Sequence, residues 1–350
     1  MVQQNAYTNL VGAGWAVNGV PLIPNVSGIP VTGNWFFVDP ANGSDGNPGT
    51  ANEPLATLYR AHALCTAGNN DMVVLVGNGA ASGTARLSTA LAQSIDSTVT
   101  AGTLVWSKNA THLIGVTAPT MSFQRARIAP PTGTYTVTTF GSANFITVSA
   151  AGCIFSNFSV FNGFSTGGAN QICWTDTGGR NYYNNVNFGG MADAGSAGDT
   201  GSRSLKIGSG GSGENTFDSC VIGIDTVTRT AANASLEFAG GSPRNVFRNC
   251  IFPFQGNTAG VIGIKSAAGG MDRWQTFSNC SFINNVQSTS TTMSGLATLA
   301  TGSPNGLILM QNCRMVGITE WGTDATSRGL IYVDMSAPDA AAGGVTTNPT

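Results

Sequence analysis

Charge is scarce in this 350-residue chain: Asp, Glu, Lys and Arg together make up 9% of it, where about a quarter is usual. With 15 Lys and Arg residues, no basic cluster and a formal net charge of −2, no nucleic-acid partner is expected. His62 and His112 are its two histidines, and no Cys-x-x-Cys pair occurs. A zinc site is not expected on that basis, and no cofactor is expected. No run of eighteen apolar residues exists, so no helix is expected to cross a membrane. Met1 is not followed by a basic stretch and an apolar segment, so no secretion signal is expected.

What the chain has in abundance is glycine, 47 residues of it, and a short phrase repeated about every thirty residues. Its six copies begin at Phe155, Tyr183, Phe217, Phe247, Phe277 and Met310. The third residue of the copies is Asn157, Asn185, Ser219, Asn249, Asn279 and Asn312; the fourth is Cys220, Cys250, Cys280 and Cys313 in the last four. A fixed period of this size predicts stacked coils.

The residues at positions one and four of the phrase are both apolar, yet in a flat strand they would face opposite sides. The chain therefore has to turn between them, and the Asn or Ser stands at the turn. Asn tolerates the left-handed backbone of a corner and bonds local backbone. Stacked one per coil, such amides also bond each other. Apolar runs such as Leu205-Lys206-Ile207 and Leu236-Glu237-Phe238 precede the phrase, each followed by a turn of Gly, Ser or Thr. The predicted fold is all-β: a right-handed, single-stranded parallel β-helix of three short strands and about thirty residues per coil. Repeated helices would not survive this much glycine.

Cys220, Cys250, Cys280 and Cys313 fall at one place on successive coils. Neighbouring strands lie about 4.8 Å apart, and parallel Cβ vectors would hold the Cβ atoms at that spacing, beyond the roughly 3.8 Å that disulfides prefer. Stacked core thiols are expected instead. Asp218 precedes Arg248 by one coil and Lys206 precedes Glu237, which reads as surface ion pairs worth little each. Asp39, Asp45 and Asp71 could hold calcium through oxygen ligands, but Asp39-Pro40 and Ser44-Asp45-Gly46 are also ordinary turn chemistry.

Near the amino terminus, Phe37-Val38-Asp39-Pro40-Ala41-Asn42-Gly43-Ser44-Asp45-Gly46 leads into a predicted capping helix at about 54–66 and then into Asp71-Met72-Val73-Val74-Leu75-Val76. Asn52 or Glu53 would cap that helix, and Pro54 suits its first turn. Together with the Asn-Cys coils, these segments resemble pectate-lyase-like right-handed β-helix proteins over residues 35–335. Within that group the layout resembles the glycine-rich β-helix proteins of tailed phages. Pectate lyases of this kind arrange aspartates around calcium, and galacturonan hydrolases carry Asp-Asp and Gly-His-Gly. Neither Asp-Asp nor Gly-His-Gly occurs in this chain. The expectation is a protein that is not an enzyme and has no catalytic residues.

The resemblance implies a structural virion protein, made in the host cytoplasm and placed on the capsid surface as a decoration or cement protein. Its partners would be the major capsid protein and other virion proteins, and it would form homo-oligomers, with a trimer the expected state. The alternative is a tailspike or receptor-binding protein that recognises or cleaves host polysaccharide; a groove lined by Trp, Tyr and acids would favour it. Residues 1–34 read as an extended arm and 336–350 as an extended tail. Leu10, Val11, Trp15, Leu22 and Ile23 of the arm, with Phe254 and Trp321 of the loops, are the candidate docking residues.

Overall fold

A computed structural model describes residues 32–77, 104–117, 126–128, 144–162, 172–208, 212–285, 291–300 and 306–334. Of the amino-terminal arm it describes the backbone of short antiparallel pairs, Trp15–Val17 with Val20–Leu22 and Asn25–Val26 with Ile29–Pro30. Leu10, Val11 and Ile23, and the tail 336–350, lie outside the described residues, and the side chains of Trp15 and Leu22 are not described.

The chain is a right-handed parallel β-solenoid. Three sheets run its length, of 8, 10 and 7 strands. The first contains Ile172–Asp176, Arg203–Ile207, Ala234–Phe238 and Ile262–Ser266 in successive coils. The second contains Ile154–Ser156, Tyr182–Asn184, Thr216–Asp218, Val246–Arg248 and Trp274–Ser278. The third contains Asn187–Gly189, Val221–Ile222, Ile251–Phe254, Ser281–Asn284 and Arg314–Val316. Each strand pairs in parallel with its counterpart one coil on, in exact register from copy to copy, as Phe217 with Phe247 and Phe247 with Phe277.

Register turns the repeated phrase into columns. Its first residue points inward from the second sheet, so Tyr183, Phe217, Phe247 and Phe277 stack with ring centroids 4.6 Å apart and planes within 6°. The fourth residue packs inside the corner: Cys220, Cys250 and Cys280 are buried, Cys313 is half-buried, and all four are free thiols. Each thiol donates a weak bond to a carbonyl one coil earlier, Cys250 to Phe217 and Cys280 to Phe247, both at 3.5 Å. Phe188, Ile222, Phe252 and Phe282 then enter the same core from the third sheet. Burial pushes the Cys250 thiol well above its ordinary range, so that sulfur stays protonated.

The corner residues Asn157, Asn185, Ser219, Asn249, Asn279 and Asn312 all have φ between 50° and 58°. Their side chains form two broken ladders. Asn185 Nδ2 donates to Asn157 Oδ1 at 3.0 Å; Asn312 donates to Asn279 at 2.7 Å and Asn279 to Asn249 at 3.5 Å. Ser219 is too short to span a coil, and Asn249 turns to Asp218 Oδ1 at 3.3 Å instead.

The capping helix, α1, is shorter than predicted, Leu58–Leu64. Thr57 caps it, accepting from Arg60 N at 3.1 Å, in place of Asn52 or Glu53. Asp45 decides that boundary by accepting from the Ala56 and Thr57 amides at 3.0 and 2.9 Å. Leu55 is held extended against Val38 in a strand bridge. Leu58 and Ala61 of α1 are fully buried against the first coils, which closes that end of the core.

Candidate functional site

The inner surface of the solenoid is filled by side chains, so any functional site lies on its outer faces, and the three faces differ in chemistry. A buried polar spine also runs between the first and second sheets. Asn181, Asn215, Asn245 and Gln275 are 0–2% exposed, and each backbone amide in the row bonds the side-chain oxygen one coil on. Asn181 N donates to Asn215 Oδ1 at 2.9 Å, Asn215 N to Asn245 Oδ1 at 3.1 Å and Asn245 N to Gln275 Oε1 at 3.2 Å. Asp176 ends the spine, fully buried, accepting from Tyr183 Oη at 2.6 Å, from Asn181 Nδ2 and from two glycine amides. Burial raises its pKa while those donors pull it back. The signal for this spine was in the sequence: an amide residue stands two positions before each of Tyr183, Phe217, Phe247 and Phe277.

On the first sheet, Lys206, Glu237 and Lys265 share an outward row. Glu237 does not pair with Lys206 as expected. It is bound by Arg203 at 2.8 Å, and both partners are buried, which a surface lysine cannot match because its ammonium keeps its water. Beneath the same edge lies Arg229, fully enclosed, donating to Asn233 Oδ1 at 2.6 Å, Ser235 Oγ at 3.2 Å and the Ile262 carbonyl at 3.0 Å. Burial, then the Arg203 charge, draws its pKa down to about 9. Its hydrogen bonds fasten the loop 223–235 to the next coil.

The second sheet carries a charged strip. Glu214 is held between Arg180, at 2.8 Å, and Arg244, whose guanidinium also lies 5.9 Å from the Trp274 ring. Four residues further along these strands, Asp218 pairs with Arg248 at 2.9 Å and lies 3.4 Å from the Tyr182 hydroxyl. Thr216, Val246 and Thr276 form a half-buried floor between the two rows. Trp274 is 44% exposed.

The third sheet has two outward rows. Asn187, Val221, Ile251, Ser281 and exposed Arg314 share one; Pro253, Ile283 and Val316 share the next, which is apolar. Ile283 is 36% and Val316 53% exposed. Phe254 and Trp321, expected to face a partner, do not. Both are buried, 0% and 4% exposed. Phe254 fills the core under Arg229, and Trp321 meets Phe282 edge-on at 6.3 Å. A strand of four or five residues carries its alternating side chains inward at these positions, and the exposed large apolar residues of the third sheet are Ile283 and Val316 instead.

Asp39, Asp45 and Asp71 are engaged in local bonds. Asp39 accepts from the Ala41 and Asn42 amides at 3.0 and 3.2 Å. Asp71 accepts from Asn34 N and Asn69 Nδ2, both at 2.7 Å, and from Thr66 N at 2.6 Å. Among the described residues no group of three or more His, Cys, Asp and Glu could hold a metal ion, and no helix is long and apolar enough to cross a membrane.

No protein-family profile and no curated protein sequence matches the chain. Solved structures do. The pectin methylesterase from Aspergillus niger in deglycosylated form is similar at a TM-score of 0.51 and 14% identity, over 92% of this chain and 95% of that one. The pectin methylesterase PemA from Erwinia chrysanthemi gives 0.48 and 15%, over 90% and 85%. The pectate lyase Pel9A gives 0.49 and 12%, over 88% and 76%. At such identities the likeness shows the fold, a pectate-lyase-like parallel β-helix. It also corrects the expectation that the chain is not an enzyme: the structures that share its fold are enzymes, so the architecture supplies no ground for that exclusion.

Proposed function

We propose that the chain is a structural protein of a tailed-phage particle, a decoration or cement protein that lies against the capsid shell through the outer face of the third sheet. The observation that carries this is the lengthwise apolar row Pro253, Ile283 and Val316, backed by Val221 and Ile251. Solvated sheet faces are normally polar, and an exposed apolar row on a rigid scaffold suits protein docking. The partners are the major capsid protein and neighbouring copies of this chain.

The copy number in purified particles, measured by quantitative mass spectrometry against the major capsid protein, tests the reading. Hundreds of copies support a shell component, and absence from particles removes it. Ile283→Asp with Val316→Asp is expected to cut incorporation at least tenfold while leaving the melting curve unchanged.

The strip on the second sheet favours one other reading, a receptor-binding protein that recognises host polysaccharide. Trp274 and Tyr182 offer ring surface there, and the ion-paired Arg180, Glu214, Arg244, Asp218 and Arg248 offer fixed hydrogen-bonding groups. A handful of copies per particle, together with polysaccharide binding lost in Trp274→Ala, would select it.

A further inference from the structure

Four ion pairs lie along the second sheet and its entry corner, and in each the arginine is the more exposed partner. The two side chains are 75% and 31% exposed in Arg180–Glu214 and 41% and 31% in Arg244–Glu214. They are 48% and 17% exposed in Arg248–Asp218 and 58% and 39% in Arg273–Asp272. The guanidiniums therefore form the outer layer and the carboxylates buttress them from beneath. Four arginines against three carboxylates leave the strip at +1, in a chain whose net charge is −2.

One strand concentrates the pattern. Arg244, Val246 and Arg248 alternate with the buried Asn245 and Phe247, and four residues of extended chain span about 13 Å. The preceding coil already shows what complements this line. Glu214 bonds Arg244, Thr216 lies in register with Val246, and Asp218 lies in register with Arg248 and bonds it at 2.9 Å. Both Glu214 oxygens are taken, Oε2 by Arg180 Nε and Oε1 by Arg244. A guanidinium has five N–H donors, so Arg244 and Arg248 keep donors to offer outward. We propose that Arg244, Val246 and Arg248 form a docking line for an extended acidic segment of another protein, with carboxylates four residues apart and an apolar residue midway.

Charge and spacing select that partner. A carboxylate matches the edge of a guanidinium, and arginines already held by Glu214 and Asp218 lose little freedom on binding. Trp274, 44% exposed and with its ring 5.9 Å from the Arg244 guanidinium, adds the aromatic surface found at protein interfaces. A neutral glycan needs acceptors as well as donors, and here the acceptors are the covered partners. Another copy of this chain does not supply the segment. Its acids stand four apart at Glu214/Asp218, the strip itself, and at Glu320/Asp324. Glu320 is bound to Arg328, and Asp324 accepts from the Ser327 amide at 2.7 Å.

The test needs no particle. The full-length chain is titrated with the fluorescent peptide Thr-Thr-Glu-Thr-Val-Thr-Glu-Thr-Thr at about 0.01 M ionic strength, where the Debye length is about 30 Å. Saturable binding is expected. The isomer Thr-Thr-Glu-Val-Thr-Glu-Thr-Thr-Thr, whose glutamates point to opposite sides of an extended chain, should bind roughly five- to tenfold more weakly. Arg244→Gln and Arg248→Gln, both at solvent-exposed side chains, should each weaken binding by a similar factor. Lys265→Gln on the first sheet should leave it unchanged, and melting curves check that the variants fold. No saturable binding, equal affinity for the two isomers, or indifference to both arginine variants overturns the proposal. Tighter binding of tri-galacturonate than of the peptide, lost in the same variants, overturns it in favour of a glycan. Each of these failures leaves the incorporation test of the third-sheet row untouched.

Discussion

The two histidines show how a single residue is governed by its surroundings. His62 Nε2 accepts from the Ser107 amide at 3.2 Å, its ring lies 4.7 Å from that of Trp106, and the Lys108 ammonium is nearby. His112 Nδ1 accepts from the Ile154 amide at 3.0 Å, with Asn70 at its other nitrogen and Asp71 close by. Burial lowers both pKa values from 6.5 to about 4. Because the folded values are depressed, the stability tied to neutral rings is fully present above pH 6.5 and is lost as pH falls through 4. Denaturant midpoints compared at about pH 7 and about pH 4 should show a loss on the order of 3 kcal/mol per histidine. His112→Asn should flatten part of that dependence; an unchanged slope would mean the ring is solvated. The two asparagine columns differ in the same way. Asn279 is exposed on its corner, whereas Asn245 is 0% exposed and holds the Asn215 amide. Asn245→Ala is therefore expected to cost about 2 kcal/mol more than Asn279→Ala in chemical denaturation. Asn279→Gly should recover roughly 1 kcal/mol of the Asn279→Ala loss, because glycine carries φ 54° without strain. Equal losses in the two alanine variants would count against the spine as a buried support.

Elements in this chain are too short to be stable alone. Strands of three to five residues gain their stability by stacking, so the ring column joins coil to coil where a longer strand would rely on its own length. Phe247 touches Phe217 and Phe277 with centroids at 4.6 Å on both sides. Phe247→Ala should cost about 3–5 kcal/mol, read as a shifted denaturant midpoint; a loss below 1 kcal/mol would show that the column collapses to fill the gap. The strand phrase and its corner were legible because one residue type recurs at one position. The start of α1 was not. Its local signals, Asn52, Glu53 and Pro54, argue for an earlier beginning, and Asp45, nine residues before Pro54 in sequence, overrides them through bonds to the Ala56 and Thr57 amides. Likewise Phe254 and Trp321 looked like loop residues, and only pairing showed that Phe254 extends a third-sheet strand and that Trp321 lies on the last strand of the first sheet, Ile318–Gly322, both with side chains buried.

At the scale of the whole molecule the two ends differ. Among the described residues, α1 covers the first coils with fully buried Leu58 and Ala61 and partly buried Tyr59 and Leu64, whereas Met315, Ile318, Leu330 and Val333 at the last coil are all only partly buried. In a quasi-one-dimensional stack each coil is supported by its neighbours, and the less covered end opens first. Hydrogen exchange should accordingly be slowest in Tyr182–Asn184, Thr216–Asp218 and Val246–Arg248 and fastest in Arg314–Val316 and Ile331–Val333. Uniform protection along the axis would contradict that order. The sequence by itself determined the solenoid, its coil length, its Asn corners and its stacked thiols, because register repeats the same local physics at every coil. The tertiary structure alone decided which partners the buried charges take and where an apolar row is exposed. Those depend on residues from different coils meeting at about 4.8 Å, as Arg203 meets Glu237. No pattern within a single coil contains that juxtaposition.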